Sequence, residues 1–281
     1  MHNKTVLITG GNSGIGKFTA LGLLQEGAEV FIACRNREKA AKAIQELESM
    51  SAVKGKVRAL ELDLADLHSI EAMVLAFQAQ RPKLDVLINN AGVVTSKYQQ
   101  TRQGFELQFG VNHLGHFHLT QLLLPALREA PEARVVNVSS ASYLRGTLDF
   151  NRLRQWPGRY NSLKAYAQSK LCNVLFTREM ARRHPEIDCN ALHPGVVSTE
   201  IGSKHMTLLE ALAWTLYRPF MVSPKTGAKT SIFLASSPTV AGISGRFFDE
   251  NQNPRKLAAH ALSDTLAQRL WTESEQWTKK Q

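Results

Sequence analysis

At 281 residues, with 43% hydrophobic and 21% charged side chains, the chain can bury one large core and is too mixed in composition to be fibrous or disordered. A formal net charge of +10 invites an anionic partner. The densest basic stretch, eight Lys or Arg against one Glu between Asn151 and His184, reads as a solvated helix face without zinc-finger spacing, so no nucleic-acid partner is expected. The three cysteines, Cys34, Cys172 and Cys189, are odd in number and lack metal-ligand spacing, which argues against a disulfide framework and a metal site.

The first strand is the apolar run Thr5–Thr9, almost at the initiator methionine, which leaves no room for a secretory leader. Nothing downstream approaches about eighteen consecutive apolar residues. A cytoplasmic protein with no integral membrane segment is expected, at most resting peripherally on a membrane. The strand runs into Thr9-Gly10-Gly11-Asn12-Ser13-Gly14-Ile15-Gly16 and then a helical pattern over Ile15–Glu26. Gly10, Gly14 and Gly16 depart from the G-x-G-x-x-G spacing but serve the same physical end: a tight turn, close backbone approach to a pyrophosphate, and a helix N-terminus facing the anion. Gly10, Asn12, Ser13, Gly14, Ile15 and Gly16 are therefore candidate dinucleotide contacts.

A second strand, Glu29–Ala33, ends in Cys34-Arg35-Asn36-Arg37, with no carboxylate where an NAD site would place one for the ribose hydroxyls. Arg35 offers a guanidinium for a 2′-phosphate, and Lys17 adds charge nearby, so NADP(H) is the expected cofactor. A helix over Arg37–Ser49, a strand over Val57–Glu61 and a helix over Leu67–Ala79 follow, then a strand Val86–Asn89 opening into Asn89-Asn90-Ala91-Gly92. Beyond it lie a long helix over Gly104–Leu127, a strand Arg134–Val138 leading to Ser139-Ser140, a helix Tyr166–Arg183, a strand Asp188–Leu192 leading to Pro194-Gly195, and a last strand near Gly245–Phe248 closing the edge. Strands alternating with helices predict an α/β fold, a single doubly wound parallel sheet with helices on both faces and ligands at the strand C-termini. No linker divides the chain, so residues 1–281 are expected to form one domain.

Tyr166 and Lys170 lie four residues apart, on one face of a helix. A carbonyl reduced by hydride needs a proton at its oxygen, and Tyr166 is the candidate acid, its phenol expected to be lowered by the Lys170 cation. Ser140 is the candidate donor to the substrate oxygen, with Ser139 the alternative.

The glycine-rich turn, Asn89-Asn90-Ala91-Gly92, Asn112, Ser139-Ser140, Tyr166-Ala-Gln-Ser-Lys170 and Pro194-Gly195, in this order over nearly the whole chain, resemble the short-chain dehydrogenase/reductase family. The resemblance implies the Rossmann fold. It assigns Asn112, Ser140, Tyr166 and Lys170 to catalysis, the Asn112 side chain breaking helix regularity and holding a water that leads to the lysine. It implies adenine contact by Asp63-Leu64, which on its own is equally a turn or cap. It further implies a nucleotide lining from Asn89-Asn90-Ala91-Gly92, which also steadies the central sheet, a ribose contact from Lys170, and nicotinamide contacts from Pro194, Val197 and Thr199. Ser140 and Tyr166 stand 26 residues apart, and the insertion from Leu148 to Asn161, with Ser169-Lys170-Leu171-Cys172-Asn173, is similar to the retinol dehydrogenase branch.

An NADP(H)-dependent oxidoreductase interconverting an apolar carbonyl and alcohol, retinoid-like or otherwise, is thus expected. A substrate lid lies near 200–222, where the apolar positions of Met206–Val222 exceed one buried stripe; a subunit interface or a membrane contact is the alternative. Reduction of a ring carbon–carbon double bond, as in protochlorophyllide reductases, and a catalytically silent NADP(H)-binding sensor or scaffold are the competing functions. By family analogy the helices over Gly104–Leu127 and Tyr166–Arg183 pair across a two-fold axis, giving a homo-oligomer.

Overall fold

Parallel strands buried on both faces alternate their side chains between two cores, and this chain builds both from one sheet. The computed structural model describes residues 1–196 and 222–279. In chain order it contains β1 (Thr5–Thr9), α1 (Gly14–Gln25), β2 (Glu29–Cys34), α2 (Arg37–Ser51), β3 (Val57–Glu61), α3 (Leu67–Gln78) and β4 (Val86–Asn89). Next come α4 (Leu107–Phe109), a π-helical turn (Gly110–Leu114), α5 (Gly115–Arg128), β5 (Arg134–Val138), α6 (Ser162–Arg183) and β6 (Asp188–Leu192). After the undescribed stretch follow α7 (Pro224–Gly227), α8 (Lys229–Ser236), β7 (Phe247–Phe248), β8 (Pro254–Arg255) and α9 (Asp264–Lys279). No helix among the described residues is long and apolar enough to cross a membrane.

The strand order is β3-β2-β1-β4-β5-β6-β7-β8, parallel except for the antiparallel β7–β8 pair. This is the expected doubly wound sheet. On β1, Val6 and Ile8 enter a core with Leu24, Ile32 and Leu234, whereas Leu7 joins Phe31, Phe77 and Phe117 on the other face. Each such fully buried side chain stabilises the fold by about 1.5–3 kcal/mol. The order reverses between β1 and β4, which opens a crevice at their C-terminal ends.

Two expectations need correcting. The last parallel strand is confined to Phe247–Phe248, and β8 pairs outside it, so β7 does not close the edge. The helix expected over Gly104–Leu127 begins only at Leu107, and it is interrupted at Asn112, where the resemblance implies a break: the Gly115 amide bonds the Gly110 carbonyl across a π turn. The outer faces of α5 and α6 are partly covered from within the chain. The chain's own α9 lies across them, Trp271 stacking on Phe176 at 5.8 Å and meeting Phe117 edge-on at 5.1 Å.

Candidate active site

The crevice begins where β1 delivers Thr9 to the glycine turn. Gly10 sits at φ +66°, and its amide donates to the Ala33 carbonyl at 2.7 Å, pinning the turn to β2. A Cβ on Gly16 would collide with the Gly10 carbonyl and lie 2.5 Å from Asn90 Nδ2, so glycine is what lets α1 start against the strand ends. Ser13 is the N-cap of α1 yet makes no capping bond with its side chain, leaving the first-turn amides to face outward as an anion site needs. Asn12 and Ile15 flank this turn, part-buried.

At the end of β2, Arg35 is exposed and has no ion-pair partner among the described residues. Its neighbours are committed elsewhere: Arg37 bonds Glu61 through Nε at 2.7 Å, and Lys17 bonds Glu46 at 2.7 Å. The help expected from Lys17 is therefore directed into an α1–α2 ion pair. A free guanidinium beside an outward-facing helix N-terminus, with no competing carboxylate on that strand end, fits a dinucleotide bearing a 2′-phosphate.

Asp63 Oδ1 accepts the Ala65 amide at 3.0 Å, while Asp66 caps α3, so Asp63 shapes a turn next to β3. The Leu64 side chain is buried in the core, and its carbonyl lies against Gly115. Asn89 likewise points inward, donating to Thr120 Oγ1 at 3.1 Å and Asn137 Oδ1 at 2.8 Å, which ties β4 to α5 and β5. Its side chain serves the sheet rather than the crevice. The loop residue that does meet the glycine turn is Asn90, which donates to the Thr9 carbonyl at 2.8 Å. Ala91 packs against Gly10, and a Cβ on Gly92 would lie 3.4 Å from Asn112 Oδ1 and 3.7 Å from Lys170 Nζ. On the far side Pro194 is buried, and Val222 donates its amide to the Val196 carbonyl at 2.9 Å. Val197, Thr199 and nearly all of the expected lid, including Trp214, lie outside the described residues.

Tyr166, Lys170 and Ser140 meet at the C-terminal end of β5. Ser140 lies close enough to the Tyr166 phenol to lower its pKa in part, and it accepts from Ser142 through its hydroxyl at 2.9 Å and its amide at 3.2 Å. With its lone pairs engaged by Ser142, the Ser140 hydroxyl proton is left available to another acceptor. Ser139 is instead buried, donating to the Lys170 carbonyl at 2.8 Å. The structure thus separates the two serines.

Lys170 Nζ donates to the Val138 carbonyl at 3.0 Å and lies 5.5 Å from the centre of the Tyr166 ring. The expected lowering of the phenol does not appear. Burial pushes Tyr166 up to about 12, offset in part by the neighbouring Ser140 hydroxyl, and burial pushes Lys170 down to about 8. An ammonium held by a carbonyl and not bonded to the phenol oxygen does not outweigh the loss of water around that oxygen.

Asn112 is fully buried, and its amide clamps the Val93 backbone: Oδ1 accepts the Val93 amide at 2.7 Å, while Nδ2 donates to the Val93 carbonyl and to Ser169 Oγ, each at 3.0 Å. Ser169 in turn donates to the Tyr166 carbonyl at 2.8 Å. Sequence reading gave Ser142, Ser169 and Thr9 no role of their own. Only their adjacency to named motif residues would have singled them out.

Comparison with known proteins agrees with this geometry. The family model described as short chain dehydrogenase matches residues 4–207. Retinol dehydrogenase 14 of Homo sapiens is 44% identical, the alignment covering 98% of this chain and 86% of that protein. A crystal structure of an uncharacterized protein from Mycobacterium Paratuberculosis is 35% identical with a TM-score of 0.78, over 99% of this chain and 94% of that one. The RhlG/NADP active-site complex of Pseudomonas aeruginosa is 25% identical with a TM-score of 0.71, over 89% and 95%.

Proposed function

The chain belongs to the short-chain dehydrogenase/reductase family, and from that premise we propose that it is an NADP(H)-dependent oxidoreductase interconverting a carbonyl and an alcohol on an apolar substrate. The observation that carries this reading is the convergence of Ser140, the Tyr166 phenol and Lys170 one helical turn on, at the C-terminal end of β5. NADP(H), when bound, supplies the hydride. The Gly10–Gly16 turn and the start of α1 hold its pyrophosphate, Arg35 its 2′-phosphate, and Lys170 its nicotinamide ribose. Pro194 lines the nicotinamide side.

As negative charge grows on the substrate oxygen, Ser140 turns its proton to that oxygen and Tyr166 delivers one. A phenol at about 12 holds its proton throughout the neutral range, which suits the reductive direction. Asn112 fixes the Val93 backbone and, through Ser169, the backbone of Tyr166, so the acid is held on a rigid element. Three exposed apolar side chains support the substrate class: Leu144 shortly after Ser140, Leu163 just before Tyr166 and Val196 just after Pro194, at 55%, 76% and 64% exposure. Apolar surface beside reacting groups favours a hydrophobic ligand over a small polar one.

The test is cofactor oxidation by purified protein with NADPH and NADH across medium-chain aldehydes, bulky aromatic carbonyls, retinoid-like aldehydes and small polar ketones. NADPH with the apolar carbonyls should dominate, and Arg35→Asp should erase or reverse the cofactor preference. A parent that prefers NADH would refute the Arg35 assignment. Consumption of NADPH only with ring alkenes would replace the carbonyl chemistry, and binding without turnover on any substrate would leave a sensor.

A further inference from the structure

His116, on the first turn of α5, belongs to none of the groups assigned so far, yet it is 2% exposed and reaches two of them. Its Nδ1 lies 3.2 Å from the Asn112 carbonyl and its Nε2 lies 2.8 Å from Thr9 Oγ1. The chemistry of the partners fixes the tautomer. A carbonyl only accepts, so Nδ1 carries the proton and Nε2 presents a lone pair. Burial keeps the ring neutral, pushing it down to about 4.

Nε2 must then accept the hydroxyl proton of Thr9. Thr9 Oγ1 has both lone pairs left, and they receive the amides of Asn90 and Ala91, each at 2.9 Å. The only other acceptor for that proton among the described residues is the Ile88 carbonyl, at 3.4 Å. His116 thus sets which way the Thr9 hydroxyl faces, and that hydroxyl gathers the Asn90–Gly92 loop against the glycine turn. The path runs from the π turn through His116 and Thr9 to the loop that touches Gly10 and Gly16.

We propose that His116 is a positioning residue for the cofactor crevice, holding Thr9 as a double acceptor so that the Asn90–Gly92 loop and the carbonyl of Asn112 keep one mutual geometry. It touches neither the reacting atoms nor the cofactor. The proposal rests on the reading of the glycine turn as the dinucleotide site.

The experiment compares parent, His116→Leu, His116→Gln, Thr9→Val and Thr9→Val/His116→Gln for NADPH Kd, kcat, Tm and cofactor-free amide exchange over residues 89–92. His116→Leu should weaken NADPH binding roughly tenfold, lower kcat as well, and speed exchange over that peptide. His116→Gln, which keeps a donor and an acceptor on one planar group, should recover most of the loss. Thr9→Val should reproduce the leucine phenotype, and adding His116→Gln to it should change nothing further. A lowered Tm with parental Kd and exchange would reduce His116 to core packing and overturn the proposal, as would equal behaviour of the leucine and glutamine variants. If His116→Leu does not fold, the glutamine and valine variants and their combination decide, additivity counting against the proposal. If the parent fails to bind NADPH, the functional reading falls, while the cofactor-free exchange still judges the His116–Thr9 coupling.

Discussion

Ser139 and Ser140 are adjacent and chemically identical, and only their surroundings give them different work. Ser139 donates to the Lys170 carbonyl, joining β5 to α6, whereas Ser140 faces the phenol with Ser142 behind it. Ser139→Ala should therefore cost about 1 kcal/mol of stability with a modest loss of kcat, and Ser140→Ala should lower kcat by ~10²–10³ with Tm nearly unchanged. Tyr166→Phe keeps the ring and loses the proton, so kcat should fall by at least ~10² with NADPH Kd preserved; activity within roughly tenfold of the parent would end the acid assignment. Lys170 makes a separate prediction about pH. Its ammonium is pushed down to about 8, so reductive activity should decline as pH rises through 8 while Tyr166, at about 12, stays protonated. Loss of fold does not explain that decline. The folded value lies below the ordinary 10.5, so the unfolded chain binds more protons between the two, and this group's contribution to stability rises with pH across that window. A flat kcat/KM profile to pH 10, recorded alongside denaturation midpoints, would remove Lys170 from the reaction.

At the scale of elements, what was legible follows from how local the signal is. Parallel strands buried on both faces are short continuous apolar runs, and Thr5–Thr9, Val57–Glu61, Arg134–Val138 and Asp188–Leu192 form as expected. The turns that follow β1, β4 and β5 were legible as motifs, and the structure brings Gly92, Asn112 and Lys170 together as their order implied. The break at the π turn was legible only through the family resemblance at Asn112, because Gly110-Val111-Asn112-His113-Leu114 continues a helical pattern and the competing bonds come from Val93 and Ser169, far away in sequence. The same distance hid Glu106, a buried carboxylate raised by burial that accepts the Tyr160 hydroxyl at 2.7 Å. That bond fastens the end of the insertion, six residues before Tyr166, to the start of α4. Ion pairing was equally invisible: Lys17 and Arg35 are both single cations near the turn, and only the position of Glu46 on α2 separates them. The α9 helix was missed for another reason. Its polar face dominates the sequence of Asp264–Lys279, and its apolar stripe acquires meaning only from the aromatic surface it covers.

That surface decides how the whole molecule presents itself. Along α9, Ala267, Leu270 and Trp271 are no more than 3% exposed, and Trp277 packs on Phe105 and Phe109 at 5.3 and 5.9 Å. His113 of the π turn joins the contact through Ser274, at 3.3 Å. The helix therefore caps α4, α5 and α6 along the face that the family analogy reserves for a partner, and a net charge of +10 adds repulsion between copies. We expect a monomer by light scattering at micromolar concentration. Trp271→Ala should remove about 3–5 kcal/mol of stability by opening a cavity against Phe117 and Phe176. Ending the chain after Ser263 should expose those aromatics and yield dimers or aggregates whose proportion rises with concentration. A parent that is dimeric, with a truncated chain of the same mass state and stability, would show that α9 does not cover the association face and that another surface joins the subunits.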